Sequence, residues 1–183
     1  PGGNTYEHLK VLLDDESCLD LLWAAATDLA QGNIPSSVAA VVFRANLTAL
    51  VKSDGGVRGI ATGTSLRRLV AKTLARQIGP EVERARAPYQ YALSTRAGTD
   101  CVAHAIRVAT DADAELTLLS VDGVGAYDNI TRESMLSELL ELPEARAILP
   151  FVLLSYGNIS RYAWRNGEGG VDIVEQAEGG EQG

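Results

Sequence analysis

The sequence predicts an α/β fold of the α+β type, mostly helical, with two β-hairpins and one short central strand. Three observations predict it. Apolar residues recur at helical spacing in several windows, as in Leu21, Leu22, Ala25 and Leu29. Two pairs of short strand-like runs are each joined by a glycine-rich turn. One continuous apolar run at 116–121 has the length of a strand covered on both faces.

Each element has a local reason. Residues 5–13 and 17–31 read as helices, the second closed by Gly32 at a C-cap position. Pro35 is placed to open a third short helix through Phe43. Residues 47–52 and 57–62 flank Ser53-Asp54-Gly55-Gly56, a hairpin signal whose glycines supply the positive φ of a tight turn. From 65 to 78 the period returns to 3.6, with Leu66, Leu69, Val70, Leu74 and Ile78 inward. Arg68, Lys72 and Arg76 share the opposite side as a basic ridge, while Arg67 falls near the apolar arc and should meet a buried partner or a ligand. Residues 98–110 form another helix. After the 116–121 strand and a glycine-containing turn, Thr131 caps a helix to Glu141. Residues 144–156 make a further helix, and 159–164 with 171–174 make the second hairpin, turning at Asn166-Gly167-Glu168-Gly169-Gly170.

Composition bounds the function. The 183 residues are 46% apolar and 22% charged, the balance of a chain that folds rather than one that stays disordered. The longest apolar run, 38–43, is far below the ~18 residues of a membrane span. Two cysteines and two histidines do not assemble the usual zinc site, and nothing suggests a disulfide scaffold or secretory signal, so a reducing intracellular setting is expected. The start at Pro1 and the stop within a Gly-rich stretch suggest a piece of something longer. The net charge of −8 is unevenly spread: residues 44–107 carry eleven Lys/Arg against four acids, whereas 108–183 carry four Arg against fourteen acids. A local basic surface can hold phosphates on a chain that is acidic overall, although a solvated helix face produces the same bias.

The sharpest chemical feature is Leu118-Leu119-Ser120-Val121-Asp122-Gly123-Val124-Gly125-Ala126-Tyr127-Asp128. An apolar strand would deliver Asp122 at its C-terminal end, beside the backbone carbonyl of Gly123. That pair suits a hard cation such as Mg²⁺, which keeps waters and recruits substrate phosphates. An Asp that only caps the next turn is the structural alternative. Lys52 and Arg58 flank the Gly-Gly tip of the first hairpin, where a fork and a point charge could close over a triphosphate. Two exposed charges that protect an edge hairpin from aggregation give the same pattern. A Walker loop and a serine nucleophile elbow are both absent. His104 reads as a packed or surface histidine. Trp23 and Trp164 read as core or lobe-contact residues rather than a base-stacking platform.

Taken in order, these segments resemble the reverse transcriptase domain of non-LTR (LINE-type) retrotransposons over nearly the whole chain. Pro1-Gly2-Gly3 with Tyr6-Glu7-His8-Leu9-Lys10 is similar to the family's entry segment, and Leu50-Val51-Lys52 … Gly55-Gly56-Val57-Arg58-Gly59-Ile60 to its fingers hairpin. Arg67-Arg68-Leu69-Val70-Ala71-Lys72 resembles the helix that follows, and Gln90-Tyr91 … Gly98 the next segment. Asp122 … Ala126-Tyr127-Asp128 is similar to motif A, and Glu178-Gly179-Gly180-Glu181-Gln182-Gly183 to the start of motif B.

The resemblance implies right-hand polymerase fingers over 1–115, with the phosphate-gripping hairpin at 47–62, and an incomplete palm over 116–183. It implies an RNA-directed DNA polymerase that adds deoxynucleoside triphosphates to a DNA primer on an RNA template by two-metal nucleotidyl transfer. Asp122 and the Gly123 carbonyl would hold Mg²⁺, Lys52 and Arg58 would grip the triphosphate, and Tyr127 would sit under the sugar as a steric gate. Gln182 would position template or nucleotide, and Arg67, Arg68 and Lys72 would support phosphate or template. The expected setting is the cytoplasm and nucleus, within a retrotransposon ribonucleoprotein, with the remainder of a parent polyprotein and without a membrane. The family's aromatic-x-Asp-Asp turn does not occur in this sequence, so the piece alone is expected to be inactive. A group II intron-type maturase is a near alternative. A noncatalytic nucleic-acid- or protein-binding module is the alternative from another class. The polymerase reading requires Asp122 to face the two hairpin cations across a nucleotide-sized gap.

Overall fold

The structure, a computed structural model, describes residues 6–92 and 95–181. Its α/β architecture combines eight α-helices with one four-stranded mixed sheet among those residues. The chain divides into two units, described separately: one holds the residues up to Leu74 together with those from Gly125 onward, the other Ala75–Val124. Neither limit coincides with the division at 115/116 expected from the sequence.

In the first unit, α1 (Tyr6–Val11) and a short 3₁₀ turn precede α2 (Glu16–Gln31). Asp15 caps α2 by accepting from the Cys18 N–H at 2.9 Å, which also holds its carboxyl below the usual value. At the other end Gly32 takes φ +74°, and the Asn33 N–H bonds back to the Asp28 carbonyl at 2.8 Å. Next come α3 (Ser36–Val42), β1 (Ala45–Val51), β2 (Val57–Thr62) and α4 (Ser65–Arg86), which leaves this unit at Leu74. The sequence suggested an end near Ile78, before Gly79-Pro80. The helix runs on through Pro80 because the carbonyl of exposed Arg76, which proline leaves without its helical donor, can turn to water.

Leu29 of α2, Val70 of α4 and Phe151 form the helical core, with Ile34, Phe43, Leu66 and Leu154 packed around them. The Phe43 and Phe151 rings are tilted with centroids 5.5 Å apart. Trp23, expected in a core or lobe contact, is instead 71% exposed on α2.

On return to this unit the chain forms α6 (Ala126–Asn129), α7 (Arg132–Glu141), a 3₁₀ turn and α8 (Leu149–Tyr156), then β3 (Ser160–Arg165) and β4 (Val171–Gln176). Thr131 caps α7 as expected, accepting from the Ser134 N–H. The strand order is β2-β1-β3-β4. Each hairpin is antiparallel, and β1 joins β3 in parallel through Ala45↔Tyr162, Asn46↔Ala163 and Leu47↔Trp164. The two hairpins, assigned from the sequence to separate lobes, therefore share one sheet. Its covered face carries Ala45, Ala61 and Tyr162.

In the second unit α4 continues to Arg86, and α5 (Gly98–Ala112) follows. The Thr95 hydroxyl donates to the Glu83 carboxylate, fastening the start of α5 to α4. The central strand expected at 116–121 does not form. A strand is held by its neighbours' N–H and C=O groups, and among the described residues the four strands pair only with one another. Without a ladder to join, 116–123 is irregular chain, with Leu119 and Val121 exposed.

Candidate functional site

The first hairpin places its two cations together. Leu50 pairs with Arg58, Val51 with Val57, and the Lys52 N–H extends the ladder to the Gly56 carbonyl at 2.8 Å. Alternation along β1 puts Leu50 and Lys52 on one face, and pairing puts Arg58 on the same face, diagonal to Lys52. It is the face opposite Ala45, Ala61 and Tyr162, and both cations are exposed. The tip between them is ordered locally. The Gly56 N–H donates to Asp54 Oδ1 at 2.9 Å, and Gly55 takes φ +81°. Two cations on one face of a short turn can bind adjacent phosphate oxygens.

The segment 178–181, which follows β4, is fastened by two buried arginines. Arg132 opens α7 and is 5% exposed. Its Nε donates to the Gly179 carbonyl at 3.1 Å, Nη2 to Ser160 Oγ at 2.8 Å and Nη1 to the Asn158 carbonyl, and its guanidinium stacks on Tyr156 at 5.3 Å. Its own N–H donates to the Glu178 carboxylate at 2.8 Å. Arg67, from the first turn of α4, donates to the Phe43 carbonyl at 3.0 Å, packs over the Phe43 ring and forms an ion pair with Glu181. The Glu181 N–H reaches the Tyr156 hydroxyl at 3.3 Å. Burial pushes the phenols of Tyr156 and Tyr162 above their ordinary value.

Backbone bonds tie the same segment to Tyr127. The Gly180 N–H donates to the Tyr127 carbonyl at 2.6 Å, and the Gly179 N–H to the Ile130 carbonyl at 2.9 Å. Gly179 is buried at φ +77°, where a Cβ would lie 2.5 Å from the Tyr127 carbonyl oxygen and 2.8 Å from that of Asp128. Only glycine fits there. The Tyr127 side chain itself is exposed on α6.

The other expected site residues are placed differently. Asp122 and Gly123 lie exposed on irregular chain in the second unit, not at the end of a strand, because the strand that was to present them does not form. Arg68 and Lys72 are exposed on α4, on the ridge expected for them. Arg67 is the buried member of that group, its guanidinium engaged by Glu181 and Phe43. Gln182 lies outside the described residues. No group of three or more His, Cys, Asp or Glu side chains that could hold a metal ion occurs among the described residues. The Mg²⁺ site that the resemblance implies would take Asp122 and the Gly123 carbonyl from this chain, one carboxylate of the several a two-ion site uses.

Sequence reasoning missed Arg132, Glu181 and Tyr156. Arg132 follows the Thr131 cap, and no local pattern marks it for burial. The alternation of acids and glycines in Glu178-Gly179-Gly180-Glu181 was the available signal for a segment held by cations. No protein-family model, curated protein or solved structure matches the chain. No helix among the described residues is long and apolar enough to cross a membrane.

Proposed function

We propose that the chain is part of an RNA-directed DNA polymerase and supplies its triphosphate-gripping hairpin. The observation that carries this reading is the register that sets Lys52 and Arg58 on one exposed face beside a glycine tip. The docking of the Gly179-Gly180 segment against the Tyr127 backbone adds support, because it couples two segments that resemble motifs A and B. In this reading Lys52 and Arg58 bind deoxynucleoside triphosphate oxygens, Tyr127 excludes a 2′-hydroxyl, and Gln182 positions template or nucleotide. Arg68 and Lys72 lend positive potential on α4. Asp122 enters as a magnesium-binding carboxylate on motif order alone, with the Gly123 carbonyl beside it. The DNA primer, RNA template and ribonucleoprotein setting in cytoplasm and nucleus come with the same reading, as does a parent protein that provides the remaining carboxylates.

Primer extension by the parent protein tests it. Charge-assisted phosphate contacts contribute about 1.5–3 kcal/mol each, so Lys52→Ala and Arg58→Ala should each raise KM for the nucleotide by roughly 10–100-fold. Asp122→Asn should abolish incorporation, and the 183-residue chain alone should extend nothing. Full activity of Asp122→Asn would remove the catalytic assignment. A second reading, a noncatalytic nucleic-acid-binding module, is favoured by the exposed irregular setting of Asp122. It expects Asp122→Asn to be silent while the hairpin variants weaken nucleic-acid binding.

A further inference from the structure

The parallel pairing of β1 with β3 has a consequence for charge that no single segment displays. Along β1, Arg44, Asn46, Thr48, Leu50 and Lys52 alternate onto the face opposite the buried Ala45 and Tyr162. The pairing Asn46↔Ala163 puts Arg161 and Arg165 of β3 on that face, and Leu50↔Arg58 adds Arg58. Arg44 and Arg165 line one shallow groove with Asn46 and Ile173, while Arg44 and Arg161 line another, so the register and the surface agree. The only carboxylate the register brings to the face among the described residues is Glu175, which accepts from Arg161 Nε at 2.8 Å. All five cations are exposed. A chain of net charge −8 thus gathers five cations on one side of a single sheet, against Glu175 and, beside Lys52 at the hairpin tip, Asp54.

We infer that this face binds a single strand of RNA along its phosphate backbone. The cations lie at successive levels rather than in one cluster. Arg44 and Arg161 stand side by side one step before the Ala45↔Tyr162 pair, Arg165 lies level with Thr48, and Arg58 and Lys52 lie at the far end of β1. At about 3.3 Å per residue the eight steps from Arg44 to Lys52 span roughly 26 Å, the length of about eight stacked nucleotides. The file crosses three strands, about 10 Å, which suits one backbone better than the two of a duplex. The polar side chains of Asn46 and Thr48 stand among the cations and can take the 2′-hydroxyl that distinguishes RNA from DNA. No aromatic residue shares the face among the described residues, since Tyr162 and Trp164 alternate to the other side, so binding is through the backbone and tolerant of sequence. Lys52 and Arg58 also belong to the triphosphate reading, whereas Arg44, Arg161 and Arg165 do not, so the variants below test the strand separately from that reading.

Fluorescence anisotropy of a labelled single-stranded RNA of about twelve nucleotides, titrated with the full chain, tests the inference. With Arg161 partly neutralised by Glu175 and Lys52 by Asp54, about four phosphates are neutralised, and the slope of log K against log salt should be near −3. That slope weakens binding roughly 60-fold between 50 and 200 mM salt. The double variant Arg44→Gln/Arg165→Gln should bind about tenfold more weakly at low salt, with the slope smaller by about 1.4. Glu175→Gln, which releases Arg161, should bind about two- to threefold more tightly, a gain that no folding defect imitates. Arg84→Gln/Arg107→Gln, which removes equal charge elsewhere, should stay within about twofold of the parent chain, and a DNA strand or an RNA duplex should bind more weakly. Undiminished binding by the sheet-face variant, an equal loss from Arg84→Gln/Arg107→Gln, no gain from Glu175→Gln, or preference for duplex or DNA overturns the inference.

Discussion

Replacing Arg67 by Met should cost more than replacing it together with its partner. Arg67 and Glu181 are paired with side-chain exposures of 9% and 12%. Truncating the arginine alone leaves a carboxylate in a poorly hydrated place, takes the donor from the Phe43 carbonyl and ends the contact with the Phe43 ring. Removing one member of a buried pair typically costs about 3–5 kcal/mol, most of it the uncompensated charge. The double variant Arg67→Met/Glu181→Gln removes both charges and keeps the volumes similar, so only the Phe43 carbonyl and imperfect packing remain, about 1–2 kcal/mol. Glu181→Gln alone keeps a neutral acceptor for Arg67 and should cost about 1–2 kcal/mol. The cycle then predicts a coupling of roughly 4 kcal/mol in favour of the pair. Urea unfolding of the four proteins, followed by far-ultraviolet circular dichroism, measures it. If Arg67→Met leaves too little folded protein, Arg67→Lys substitutes a point charge and completes a smaller cycle. Additivity of the two single variants within about 0.5 kcal/mol would refute the pair as the device that holds the 178–181 segment.

Gly179→Ala should destabilise by more than about 2 kcal/mol, because the αL backbone and two carbonyl oxygens oppose its Cβ; urea midpoints measure this, and a loss below about 0.5 kcal/mol would contradict the close approach of 179 to 127–128. Alkaline stability should also fall. Burial raises Tyr156 and Tyr162 above their unfolded value of 10.0, so the stability they contribute is full below that pH and is lost as pH rises through their folded values. Unfolding free energies measured from pH 9 upward should therefore decline more steeply for the parent chain than for Tyr156→Phe. Equal slopes would contradict the buried phenol.

Local punctuation made most of the fold readable. Gly32 ended α2, Ser53-Asp54-Gly55-Gly56 turned the first hairpin, and Thr131 opened α7, each through contacts within a few residues. What escaped was non-local. Nothing near Ala45 announces that Tyr162 will be its parallel neighbour, and this pairing moved the second hairpin into the same sheet as the first. The 116–121 run shows the converse error: strand composition is a preference for a pleated environment, and it yields no strand where no partner offers a ladder. In the candidate site, Lys52 and Arg58 were legible because one hairpin holds both. Arg67 was legible only as a residue in need of a buried partner, since Glu181 lies 114 positions away. Asp122 was read from a strand that does not form, so its sequence context misled about its surroundings.

The parallel bond between β1 and β3 also orders events in time. On a ribosome adding about 5–20 residues per second, the inner edge of β1 emerges roughly 5–20 s before β3 can close it. Throughout that interval the first hairpin presents unsatisfied peptide groups beside a hydrophobic strand, a template for pairing with another nascent chain. Cellular yield should therefore respond to translation speed and to chaperone supply more than to any surface substitution.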